Sequence, residues 1–222
     1  MLTDDTMTPL LQLALDHTRL DKALLTADLV AGQVDIIEAG TILCISEGIG
    51  AVAELRKHYP DHTLVADLKV ADAGDTLARQ AFNAGADWMT VICAAPLATM
   101  ETALDVAKAR QGDIQIELFG RWSLEDARQW RRIGISQAIY HRGRDAQAKG
   151  QTWQQRDLDL MKALSDLGIA LSVTGGITPG DLPRFKDIAV RAFIAGRALS
   201  EAADPLAAAL AFRQDIRRIW GA

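Results

Sequence analysis

Short apolar runs alternate along this chain with stretches whose apolar positions recur at helical spacing. The runs are Leu10–Leu15, Val34–Ile37, Thr63–Ala66, Trp88–Ile92, Ile114–Leu118, Gln137–Tyr140, Ala170–Val173 and Ala192–Ala195. Between them, Leu20, Ala23, Leu24 and Ala27, or Leu77, Ala78, Ala81 and Phe82, repeat every three or four residues, as one helix face requires. Helix-start signals punctuate the pattern. Ser123 precedes Leu124-Glu125-Asp126 in a capping-box arrangement, and Pro96 and Pro179 suit first turns. Strand–helix alternation implies parallel strands joined by right-handed crossovers. About eight such units in 222 residues predict a small α/β fold, a (β/α)8 TIM barrel. No glycine-rich dinucleotide turn follows the first run, which disfavours an open doubly wound sheet. No stretch reads as a linker, so one domain is expected over residues 1–222, with 1–8 as an N-terminal tail.

In such a barrel the strand C-termini form the active-site mouth. The residues expected there are ones that packing does not predict: Asp16 after the first run, Glu38 after the second, Asp67 and Lys69 after the third, Glu117 in the fifth and His141 after the sixth. Asp67 and Lys69 are two apart, so an extended backbone would turn both side chains to one face. Charges gathered at the end of a buried strand cost desolvation energy that packing gives no reason to accept. The seventh run leads into Thr174-Gly175-Gly176 and the eighth into Gly196-Arg197. Glycines let backbone N–H groups approach an anion, and the loops after strands seven and eight are the usual phosphate site of barrels. Arg197 would add a charge-assisted contact. His17, His58 and His62 fall at loop or helix-end positions and read as surface residues.

Composition narrows the class. A net charge of −5 lacks the basic face of a nucleic-acid binder, so no nucleic acid is expected as partner. Two cysteines, Cys44 and Cys93, lie far apart in apolar contexts, which reads as reduced and cytoplasmic. The first residues carry no basic and apolar leader pattern, and no apolar run is long enough to span a bilayer, so neither export nor a membrane partner is expected.

The pattern Asp67-x-Lys69-x-x-Asp72, with Gly-Gly after the seventh run and Gly-Arg after the eighth, resembles the orotidine 5′-monophosphate decarboxylase superfamily. Within it, residues 34–41 (VDIIEAGT), 115–118 (QIEL) and 140–146 (YHRGRDA) look like the 3-keto-L-gulonate 6-phosphate decarboxylase family. The resemblance runs from Leu10 to Trp220. It implies a Mg²⁺-dependent carboxy-lyase acting on a sugar phosphate in L-ascorbate catabolism, converting 3-keto-L-gulonate 6-phosphate to L-xylulose 5-phosphate and CO₂. It also implies Glu38 and Asp67 as metal ligands. Asp16, Glu117, Thr174, Gly176, Gly196 and Arg197 would be substrate-binding, and Asp67, Lys69, Asp72, His141 and Arg144 catalytic. In the superfamily the last Asp of the motif, here Asp72, is lent to the neighbouring subunit, which implies a homodimer with shared sites.

The chemistry agrees with the residue types. Loss of CO₂ from a 3-keto acid puts negative charge on the adjacent keto oxygen, giving an enediolate. A divalent metal and Lys69 suit that charge. Protonation of the carbanion at C2 suits His141, placed across the mouth from Gly176 and Arg197, with Arg144 helping to hold a water. A carboxylate at position 38 argues against orotidine phosphate as substrate, because those relatives carry a lysine there. Two rivals remain. Hexulose 6-phosphate synthase, an aldolase, shares the metal and phosphate residues but differs at the places of Glu117, Arg144 and Thr174. A non-catalytic sugar-phosphate-binding barrel has no use for Lys69 beside acidic side chains.

Overall fold

The computed structural model describes residues 8–221. The tail expected over 1–8 therefore lies outside the described residues, except Thr8, which is exposed. Eight strands, β1 (Leu10–Leu15), β2 (Ile36–Ala39), β3 (Thr63–Val70), β4 (Trp88–Ile92), β5 (Asp113–Leu118), β6 (Gln137–His141), β7 (Ala170–Thr174) and β8 (Val190–Ala195), close in sequence order. Every neighbouring pair is parallel, and β8 pairs with β1 through Leu11↔Phe193 and Gln12↔Ile194. This is the (β/α)8 barrel that the alternation predicts.

The strands alternate between two environments, as a pleat of period two demands. Leu11, Leu13, Leu64, Ala66, Ile114, Ile116, Leu171 and Val173 face outward into a continuous core against the helices. Their neighbours face the axis. Ile36, Val65 and Ala192 form one small interior cluster, and Ala14, Ile139 and Ile194 form another nearer the mouth. The Ser123 capping box is present, with Ser123 Oγ accepting from the Asp126 N–H. The last helix, Pro205–Trp220, closes the ring against Leu20–Val30. There Arg213 donates to the Gln33 carbonyl at 2.7 Å and pairs with Asp35 at 2.7 Å.

Three readings of the sequence need correction. The second strand is Ile36–Ala39 rather than Val34–Ile37. Val34 is tied into the preceding turn, and the Asp35 carboxylate leaves the ladder to accept the Leu11 N–H at 2.8 Å. Pro96 stands just before its helix, Leu97–Ala109, as N-cap, whereas Pro179 does occupy the first turn of a 3₁₀ segment. Of the histidines, only His58 is exposed. His17 and His62 are half-buried, held to Thr26 Oγ1 at 3.1 Å and the Ala31 carbonyl at 2.9 Å. Cys44 and Cys93 are buried free thiols, and burial pushes the Cys44 thiol up to about 12. Among the described residues, no helix is long and apolar enough to cross a membrane.

Candidate active site

A cavity of about 210 Å³ opens at the C-terminal ends of the strands. It gathers Asp16, Glu38, Asp67, Lys69, Glu117, His141, Arg144, Thr174, Gly176, Gly196 and Arg197. These include every residue expected at the mouth from sequence, and Asp72, expected to serve a neighbouring subunit instead, is not among them. Asp72 is exposed beyond the end of β3 and lines a separate surface hollow with Thr99 and Thr102.

The Asp67–Lys69 pair exists, but not for the reason the spacing suggests. Lys69 has φ of 46°, so the backbone there is left-handed rather than extended, and the pairing of β3 with β4 shifts register between Ala66 and Val70. Such a conformation costs energy in a non-glycine residue and needs outside support. Thr90 supplies it: its Oγ1 accepts the Lys69 N–H at 2.9 Å and donates to Asp67 Oδ1 at 2.7 Å. The Lys69 ammonium then reaches Asp67 Oδ2 at 2.6 Å and Glu117 Oε2 at 2.9 Å. Asp67 also accepts from the Thr41 N–H at 3.2 Å and the Thr41 hydroxyl at 2.5 Å. Burial works to raise the Asp67 pKa, but Lys69 and the two threonine hydroxyls outweigh it and hold it below the usual range. Burial likewise opposes the Lys69 charge, while Asp67 and Glu117 reverse the sign and keep it firmly protonated. Glu117 Oε1 meets His141 Nδ1 at 2.5 Å, which leaves Nε2 as the other ring nitrogen.

Glu38 sits beside this cluster and accepts from Gln12 Nε2. Burial, and next the Asp67 charge, push its carboxyl well above the usual range. Asp16 completes the acidic side. A Cβ on Gly40 would come within 2.3 Å of Asp16 Oδ1 and 2.8 Å of the Leu15 carbonyl, so glycine is required where β2 ends. Four carboxylates thus share the mouth with one lysine. Glu38 and Asp67, on adjacent strands, form a donor set suited to a hard divalent cation, which would relieve the repulsion that raises Glu38. Among the described residues no three His, Cys, Asp or Glu side chains surround one position. Two ligands would leave the remaining sites to water or substrate, as Mg²⁺ prefers.

Burial and that repulsion together give a measurable sign. A carboxyl raised in the fold makes the folded state bind its proton more tightly than the unfolded chain. Stability therefore falls as pH rises from about 4.5 through the raised value. The Glu38→Gln variant has no such slope. In metal-free buffer its melting temperature should exceed that of the wild type at pH 8, with the gap closing toward pH 4.5. A lower melting temperature at pH 8 would contradict the raised Glu38 carboxyl.

The other side of the mouth is cationic and rich in glycine. Gly175 and Gly176 have φ of 117° and 66°. Among the described residues, the backbone N–H groups of Gly176, Gly196 and Arg197 donate to no backbone acceptor. Two residues not singled out in the sequence build this cradle. Arg142 lies over the Trp153 ring at 4.8 Å and donates twice to the Gly175 carbonyl, at 2.9 and 2.6 Å. Gln147 donates to the Arg142 carbonyl at 2.7 Å and accepts from Arg197 at 3.2 Å. A Cβ on Gly176 would come within 2.2 Å of Gln147 Oε1. Gln147 lies in the helix Arg144–Ala148, so the segment carrying Arg144 is tied to the cradle. His141 is in register with Thr174 on the adjacent strand, beside the cradle rather than across the mouth from it.

The geometry defines a class first: a parallel eight-stranded barrel with an acidic, lysine-bridged half-mouth facing an anion cradle. The family model for "Orotidine 5'-phosphate decarboxylase / HUMPS family" matches residues 9–212, and the chain belongs to that family. Its relatives include 3-keto-L-gulonate-6-phosphate decarboxylase SgbH of Escherichia coli strain K12, 64% identical over 96% of this chain and 97% of the relative. The crystal structure of 3-keto-L-gulonate-6-phosphate decarboxylase from Vibrio cholerae superposes with a TM-score of 0.91, at 50% identity over 96% of this chain and 100% of that one. The 3-hexulose-6-phosphate synthase of Salmonella typhimurium is 30% identical, with a TM-score of 0.89 over 94% of this chain and 99% of that one.

Proposed function

We propose that this chain is a carboxy-lyase that converts 3-keto-L-gulonate 6-phosphate to L-xylulose 5-phosphate and CO₂. It would work in L-ascorbate catabolism, in the cytoplasm, as a Mg²⁺-dependent homodimer. The observation that carries the reading is the unbroken line Asp67–Lys69–Glu117–His141 facing the same cavity as the glycine cradle. The higher identity to the named decarboxylases than to the synthase supports this choice over the aldolase.

The cradle of Gly176, Gly196 and Arg197 holds the phosphate and fixes the sugar along the mouth. Glu38 and Asp67 would hold the Mg²⁺, which supplies Lewis-acid stabilisation of developing oxygen charge when bound. Lys69, kept protonated by its two carboxylates, stabilises the enediolate left when CO₂ departs. Glu117 accepts the Nδ1–H of His141 and so aims Nε2 at the reacting carbon, either directly or through a water held with Arg144.

Two experiments test this. Purified protein with Mg²⁺ should release CO₂ from the keto acid phosphate and be a poor hexulose 6-phosphate synthase. EDTA should abolish that release and added Mg²⁺ restore it, whereas full turnover in metal-free buffer would overturn the metal reading. In the second, His141→Ala should slow C2 protonation, or scramble its stereochemistry, as read by solvent-deuterium incorporation. Arg197→Ala should mainly raise KM, the mark of lost uniform binding. A pure KM effect in both variants would refute the division of roles.

A further inference from the structure

The barrel interior beneath the cavity contains a polar layer that the mechanism leaves unused. Gln12, Val65, Gln115 and Ser172 each stand one inward-facing position below a residue of the cavity lining, namely Ala14, Asp67, Glu117 and Thr174. They come from β1, β3, β5 and β7, the alternate strands that supply one four-residue layer of such a barrel. These layers are ordinarily filled by branched aliphatic side chains. Here three of the four are polar, and each of those three is 0% exposed.

Of their five polar side-chain atoms, two find partners within the protein. Gln12 Nε2 donates to the Glu38 carboxylate. Gln115 Nε2 donates to Gln137 Oε1 at 3.3 Å, and Gln137 Nε2 donates onward to Asp113 at 2.9 Å. What remains is Gln12 Oε1, Gln115 Oε1 and Ser172 Oγ, all buried and none with a partner among the described residues. Leaving buried polar atoms unpaired forfeits their hydration with nothing in return. The Ser172 hydroxyl has a single proton and could satisfy at most one of the two carbonyls. A water molecule matches the set: two O–H donors for two carbonyls, and a lone pair for the serine O–H. Three bonds is the usual number for a buried water.

We infer that a water molecule is built into the barrel axis at this layer, donating to Gln12 Oε1 and Gln115 Oε1 and accepting from Ser172 Oγ, and that it makes Gln12 a positioning residue for Glu38. With Oε1 committed to the water, the Gln12 amide can present only its N–H to Glu38. The Glu38 oxygen that faces Gln12 is thereby fixed as the acceptor and the carboxyl group held in one orientation. The water itself follows from the unpaired atoms alone; the positioning role rests on the proposed reading of Glu38 as a metal ligand.

A crystal structure of the wild-type protein at a resolution that shows ordered solvent tests the first half. One water peak within hydrogen-bonding distance of all three oxygens is expected. An empty axis, a bound monovalent cation, or direct bonds among the three side chains would overturn it. Calorimetric titration with Mn²⁺ tests the second half. Gln12→Met, similar in length but unable to donate, should weaken Mn²⁺ binding about ten- to a hundredfold, the usual cost of losing a group that orients a ligand. Ser172→Ala should weaken it in the same direction by a smaller factor, with binding of inorganic phosphate unchanged in both. Wild-type affinity in Gln12→Met would remove the positioning role. Wild-type protein that shows the water but binds no Mn²⁺ would instead refute the metal reading of Glu38.

Discussion

Lys69→Ala is expected to lower turnover by about 10²- to 10³-fold or more, the scale for removing one preorganised oxyanion partner. It should also destabilise the fold by about 3–5 kcal/mol, the scale for breaking a buried pair and stranding its partner. Two carboxylates are stranded here, because Asp67 and Glu117 share the one ammonium and are 7% and 3% exposed. The sign of the pH dependence follows from the pair. The lowered Asp67 pKa contributes stability that is present above about 3.8 and lost as pH falls through its depressed folded value. The raised Lys69 pKa contributes stability that is present below about 10.5 and lost as pH rises through its folded value. The deficit of the variant should therefore be full between those limits and shrink as pH falls below 3.8. Urea unfolding of both proteins at pH 7 and at pH 3 measures it. A deficit that is the same at both pH values would mean that lost packing, not charge, is what the alanine removes.

The acidic side and the glycine cradle were legible because each breaks a local rule. Apolar strands that end in Asp16, Glu38, Asp67 and Glu117 make no packing sense, and Gly-Gly and Gly-Arg at consecutive strand ends exceed what turns require. The residues that hold these groups were not legible in the same way. Thr90, which supports the left-handed Lys69, is an ordinary β-branched strand residue by propensity. Thr41 looks like the first residue of a helix, which it also is. Gln147 lies in a short polar segment whose composition says only that it is exposed.

A better signal was present and unused. Gln12 in Leu10–Leu15, Thr90 in Trp88–Ile92, Gln115 in Asp113–Leu118 and Ser172 in Ala170–Thr174 are polar residues at alternate positions of otherwise apolar runs. In a strand with one face on solvent that alternation would mean exposure. In a barrel the alternate face is the axis, so the same pattern marks a buried polar interior. The backbone details resisted for a different reason. The start of β2 is set by the Asp35 carboxylate bonding the backbone of β1, a tertiary contact with no local signature. The half-buried state of His62 has the same kind of cause, a contact with the Ala31 carbonyl far away in sequence, whereas His17 is held by Thr26 of the helix that follows it.

Asp72 carries the remaining large prediction. It is exposed past the end of β3, outside the cavity that holds Asp67 and Lys69, so within its own barrel it serves no visible site. If a two-fold homodimer lends it to the partner's mouth, the exchange is reciprocal. Lys69→Ala and Asp72→Asn should then each be inactive alone and recover activity together once dissociated and mixed. In a mixed dimer, one site inherits both defects, while the other combines an intact Lys69 with an intact Asp72. Random reassortment makes about half the dimers mixed and about a quarter of all sites intact, by the symmetry of the interface. Activity near a quarter of wild type, appearing at the rate at which subunits exchange, is the expected result. In a mixture shown by mass spectrometry to have exchanged, no recovery would mean that Asp72 acts within its own chain or in no site.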